Sequence, residues 1–123
     1  MNNSKSRDLL GAALDMLVRG YEEELNLYSD VRDLTARQQT ELCERHDAQS
    51  FRDMLAEKES LLRFIGRIEE QLAPAKVIAM TRRMNGHPSR VKLTALLDAV
   101  TDVIEETREM ERENVQMLEG AGV

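Results

Sequence analysis

From Asp8 to His46 the chain carries no proline, and apolar residues return every three or four positions: Leu10, Leu14, Leu17, Tyr21, Leu25, Tyr28, Val31, Leu34 and Leu42. That spacing is the period of one face of an α-helix. A continuous pattern of this length leaves no room for a sheet in the first third of the chain. Leu9, Ala13, Val18 and Leu27 widen the stripe. Gly11 and Gly20 are its weak points, each costing about 1 kcal/mol against alanine. The triplet Glu22-Glu23-Glu24 reads as a mostly solvated face.

Two further patterns follow. The stretch His46-Asp47-Ala48-Gln49-Ser50 breaks the first helix, and Asp47 or Ser50 is placed to cap the next. Phe51, Met54/Leu55, Lys58, Leu61/Leu62, Ile65, Ile68 and Leu72 predict a second helix over residues 51–72. Pro74 is expected to end it, because the residue before a proline avoids the helical region. Residues 74–88 read as a connecting segment: a short amphipathic stretch (Val77, Ile78, Met80, Met84), then the turn signal Asn85-Gly86-His87-Pro88. From Ser89 the period resumes through Leu93, Leu96/Leu97, Val100, Val103/Ile104, Thr107, Met110, Asn114 and Met117/Leu118, predicting a third helix over 89–119.

One third of the residues are charged, and there are two Phe, two Tyr and no Trp among 123 residues. This balance suits long helices and coiled coils. The expected fold is all-α, a single domain over 1–123: a three-helix antiparallel coiled-coil-like bundle with a long N-terminal helix hairpin (8–46 and 51–72) and a C-terminal amphipathic helix. At about 1.5 Å per residue the helices span roughly 58, 33 and 46 Å. The second is then too short to cover Leu9 to Tyr21, which need the third helix, a second copy or another protein.

Lys58 lies inside the leucine seam of LAEKESLL (55–62). Its methylenes can follow apolar neighbours while its ammonium reaches the edge, near Glu57, Glu59 or a facing acid of helix one. Such a charge disfavours wrong registers and reads as register specification, not catalysis.

Chemical equipment is sparse. The two histidines, His46 and His87, fall near turns, and Cys43 is the single cysteine. Cys43-x-x-His46-Asp47 lacks the further ligand that a metal site needs. No Glu-x-x-His pair, glycine-rich phosphate loop or nucleophile-base spacing is present. The expectation is a protein that is not an enzyme, with no catalytic residues, metal or cofactor. No apolar run approaches the roughly 18 residues of a membrane span. The N-terminus has no signal-peptide character, and one cysteine agrees with a reducing compartment, so a cytoplasmic protein is expected.

The net charge of −6 is uneven. Residues 71–97 carry Lys76, Arg82, Arg83, Arg90 and Lys92 with no acid, whereas residues 98–123 carry eight acids and two cations. The acidic last third disfavours nucleic acid as the main partner. The basic segment 76–92 is expected to pair with the acidic helices beside it; anion binding is the alternative.

The pattern in Tyr21-Glu-Glu-Glu-Leu-Asn-Leu-Tyr28, then Gln39 and Leu42, then Leu55-Ala-Glu-Lys-Glu-Ser-Leu-Leu62 and Ile68-Glu69, resembles the FlgN-type flagellar export chaperones. That family shows a glutamate-leucine-tyrosine helix, a turn, and a second helix with Glu-Lys-Glu before two leucines. Glu113-Asn114 followed by Met117-Leu118 is similar to the family's last helix. The resemblance covers roughly residues 10–119. It implies a cytoplasmic chaperone that binds the C-terminal helical segments of hook-associated proteins, keeps them unassembled and brings them to the export apparatus. On this reading the client would lie against helix three at Val103, Ile104, Met110, Met117 and Leu118, within an acidic rim. The alternative is a structural coiled-coil adaptor whose uncovered stripe makes a homodimer.

Overall fold

The computed structural model describes residues 2–45, 47–81 and 87–120, and of residues 2–8 and 45 the backbone only. The chain folds as an all-α bundle. Helix α1 spans Asn2–Thr40, continues into a π-helical turn at Glu41–Arg45, and is followed by α2 at Ala48–Thr81 and α3 at Ser89–Gly120. Helix α2 runs antiparallel to α1: Lys58 meets Gln38 near the turn, and Leu72 meets Gly20 further along. Helix α3 runs parallel to α1, since Lys92 pairs with Glu22, Arg32 with Glu106, and Gln39 with Glu113.

The cap of α2 comes from Asp47. Its Oδ1 accepts from the backbone N–H groups of Gln49 (3.0 Å) and Ser50 (3.2 Å), and its carbonyl accepts from Phe51 N (3.1 Å). Asp47 thus satisfies donors that the first helical turn leaves open. His87 plays the equivalent part for α3, where Nδ1 accepts from Ser89 N at 3.1 Å.

Helix α2 does not stop at residue 72. It runs through Pro74 to Thr81, so the expected connecting segment is helical over its first half. The proline rule is local, and packing overrides it. Met54, Lys58, Ile65, Ile68, Leu72, Ala75 and Ala79 are buried at heptad spacing, while Pro74 sits on the exposed face. The hydrogen bond it removes lies on the solvent side, where water can substitute. At about 1.5 Å per residue the 34-residue helix is roughly 51 Å long. It therefore reaches the stretch of α1 that a shorter helix would have left bare. Leu10, Ala13, Leu14, Leu17, Val18 and Tyr21 form the main core with Ile68, Leu72, Ala75, Ala79 and Leu93.

Gly20 has a positive role in this core. A Cβ there would lie 2.5 Å from Leu72 Cδ1 and 3.0 Å from its Cγ, so glycine permits the close approach of α1 and α2. Gly66, on the outside of α2, has nothing within 4 Å. The two glycines separate propensity from packing. Gly66→Ala is expected to stabilise by about 0.5–1 kcal/mol. Gly20→Ala gains the same helical propensity but overpacks a buried leucine, at about 1–3 kcal/mol, and is expected to lower stability. Urea melts of both variants measure the difference. Pro74→Ala, at an exposed position, is expected to raise stability.

Candidate functional site

Helices α2 and α3 both pack on α1, but among the described residues they nowhere approach each other within 8 Å between Cα atoms. The bundle is therefore splayed, with α1 as the floor of a cleft and α2 and α3 as its walls. One strut crosses it. Lys58 Nζ on α2 donates to Gln38 Oε1 on α1 at 2.8 Å and pairs with Glu111 Oε1 on α3 at 3.1 Å. Gln38 is buried too, and its Nε2 donates to the Phe51 carbonyl at 3.3 Å. The lysine in the leucine seam thus ties all three helices at one level. Its partners are Gln38 and an acid of helix three, not Glu57, Glu59 or an acid of helix one.

The strut fixes which side chains face the cleft. Leu55 and Leu62 stand three residues before and four after Lys58, hence on the same side of α2. Both are more than 40% exposed. On α3, Leu97, Ile104 and Leu118 share the heptad row of Glu111, and Leu97 is 39% exposed. Val115, four residues beyond Glu111, is also exposed. Each wall thus carries apolar side chains that no helix of this chain covers.

The five residues expected to receive a client divide accordingly. Ile104 and Leu118 are partly exposed and lie on the cleft row. Val103 does not: it is buried at 8% exposure, in the α1-facing seam of α3 with Leu93, Val100, Thr107 and Asn114. Met110 and Met117 are half-buried at the edges of that seam. Exposed Leu55, Leu62 and Leu97 also flank the cleft and are not among the residues expected from the sequence. Their heptad relation to Lys58 and Glu111 was the available signal, but which helix the strut would join was not.

At the hairpin end the cleft deepens into a pocket of about 860 Å³. Leu42, Cys43 and Phe51 contribute from the turn and α2, Met117 and Leu118 from α3. The exposed Cys43 thiol donates to Met117 Sδ at 3.5 Å. Among the described residues no group of three or more His, Cys, Asp and Glu side chains is arranged for a metal ion, and His46 lies outside those residues. The α1–α3 seam beside the pocket is polar. Thr107 and Asn114 continue at seven-residue spacing the row that Leu93 and Val100 begin, Asn114 Nδ2 reaches the Thr35 carbonyl only at 3.4 Å, and Asn114 Oδ1 is buried without a partner.

Part of the basic segment pairs as expected, Lys92 with Glu22 at 3.2 Å and Lys76 with Glu69. Arg82, Arg83 and Met84 lie outside the described residues.

Glu24 departs from the sequence reading: it is 1% exposed, not part of a solvated face. Burial pushes its carboxyl up to about 8; a hydrogen bond to Glu69 and the Glu69 charge add to this, and Lys76 opposes it. No donor reaches its Oε2. Tyr21 and Tyr28 hydroxyls are also raised, first by burial, and the Lys76 ammonium lies 5.7 Å from the Tyr21 ring centroid. Near neutrality Glu24 keeps its proton, and the pair's single negative charge stands beside Lys76.

The native state therefore holds a proton that the unfolded chain releases near 4.5, the ordinary value of a glutamate carboxyl. The resulting stability is complete below that value and is lost as pH rises towards 8, with a slope of up to about 1.4 kcal/mol per pH unit. Glu24→Gln is expected to flatten the fall between pH 5 and 8 and to exceed the parent in stability at pH 8. Denaturant midpoints across that range check this.

The sequence matches no protein-family model, and neither a curated protein nor a solved structure is similar to it at a significant level. No helix among the described residues is long and apolar enough to cross a membrane.

Proposed function

We propose that the chain is a helix-binding chaperone of flagellar type III export, acting in the cytoplasm without catalysis. On this reading it holds the C-terminal helical segment of a hook-associated protein in the cleft between α2 and α3, prevents its premature assembly and brings it to the export apparatus. The observation that carries the helix-binding part is the cleft itself: exposed Leu55 and Leu62 on α2, and exposed Leu97 with half-exposed Ile104 on α3, on either side of an α1 that packs against both helices. An amphipathic helix laid there completes a four-helix bundle and covers those residues. The flagellar part rests on the resemblance of residues 21–28, 55–62 and 113–118 to the FlgN-type chaperones. The same uncovered rows suit a second copy of the chain, which is the adaptor reading.

Co-purification with the C-terminal helical segment of a hook–filament junction protein, with the mass read by light scattering, separates the two. A 1:1 complex is expected. Ile104→Glu and Leu62→Glu are each expected to weaken it at least about tenfold, or 1.4 kcal/mol, with unchanged helicity. A homodimer indifferent to the added segment would replace the chaperone reading with the adaptor.

A further inference from the structure

We propose that the pocket at the hairpin end of the cleft is an anchor site for a bulky apolar side chain of a partner helix whose adjoining turns carry lysine or arginine. This goes further than the cleft reading and rests on its helix-binding part, not on the identity of the client.

Three observations lead to it. The first is shape. The pocket encloses about 860 Å³ and is lined by Leu42, Phe51, Met117 and Leu118 among others. That volume lies in the range of pockets that enclose a drug-sized group. The second is adaptability. The lining includes a methionine and part of a π-helical turn, and π turns recur at functional sites.

The third is charge, and it decides the class of partner. Residues 41–47 carry Glu41, Glu44 and Asp47 against Arg45, and residues 113–120 carry Glu113 and Glu119 with no cation. Both segments border the pocket, and the negative carbonyl end of α3 faces it together with the positive amino end of α2, which Asp47 caps. In the lining the cation is Arg52, whose guanidinium donates to Gln49 Oε1 at 3.0 Å. Asp47 is engaged as a helix cap, and Glu41 accepts from Ser50 Oγ at 3.3 Å, whereas Glu44 and Glu119 are exposed. A partner with acidic flanks would be repelled here. One with basic flanks would be drawn in and held in register.

The sole cysteine supplies a readout in the unaltered chain, because Cys43 is exposed and lines this pocket. The probes are three synthetic amphipathic peptides of about five helical turns. One has a leucine face with a lysine polar face, one the same leucines with a glutamate polar face, and one is the lysine peptide with its central leucines changed to alanine. Binding is read by fluorescence anisotropy, and pocket occupancy by the rate of Cys43 alkylation with N-ethylmaleimide. The leucine–lysine peptide is expected to bind and to slow alkylation at least about tenfold at saturation, with protection weakening as salt is raised. The other two are expected not to protect. Glu44→Lys combined with Glu119→Lys is expected to transfer protection to the glutamate peptide.

Equal protection by the lysine and glutamate peptides would overturn the proposal, as would failure of all three to bind. Binding without protection would also overturn it, while leaving the cleft reading intact. Protection by the lysine peptide without any complex with the hook-associated segment would support the anchor site and count against the export role.

Discussion

Burial of α1 on two sides is the constraint on which the molecule depends. Among the described residues α2 and α3 nowhere come within 8 Å of each other between Cα atoms, so each finds most of its apolar partners on α1. Leu14 is wholly buried, and Leu10, Ala13, Leu17 and Val18 stand beside it. This accounts for the unusual width of the apolar pattern in the first twenty residues. It also explains why a glycine sits at position 20, where α2 presses closest through Leu72.

Along the same helix the character of the core changes. Near the N-terminal end it is aliphatic; towards the hairpin turn Thr35 and Gln38 are buried on α1, Glu41 in the π-helical turn, and Thr107 and Asn114 on α3. Polar residues at buried positions stabilise less than leucine but tolerate fewer alternative alignments. Lys58 belongs to this group, with bonds to two different helices. The hairpin end is thus the more specified and the less tightly cohesive half, and it is also where the cleft deepens.

The first and third helices were legible in the sequence because their apolar period is long and uninterrupted. The extent of α2 was not. A proline weighs heavily in a local reading, and only the burial of Ala75 and Ala79 against α1 shows why the helix continues past it. Glu24 was illegible for a different reason. Three consecutive glutamates look alike on paper, and the register of α2 decides that the third lies beneath Glu69 and Lys76. Of the surface expected on the third helix, the partial exposure of Ile104 and Leu118 was legible from that helix alone. Val103 is buried beside half-exposed Ile104, in a stripe too wide for sequence to divide, and the exposure of Leu55 and Leu62 beside the cleft follows from the splay of α2 from α3, a tertiary property.

The parallel alignment of α3 with α1 bears on how the chain reaches this structure. Gln38 meets Lys58 across 20 residues and Phe51 across 13, whereas Gln39 meets Glu113 across 74 and Thr35 meets Asn114 across 79. Closing the longer loops costs more chain entropy, and the contacts that reward it form only after closure. The α1–α2 hairpin is therefore the natural first unit to assemble, and α3 the last to dock. On a ribosome the hairpin emerges before α3 does, and until α3 follows the α3-facing side of α1 stays uncovered.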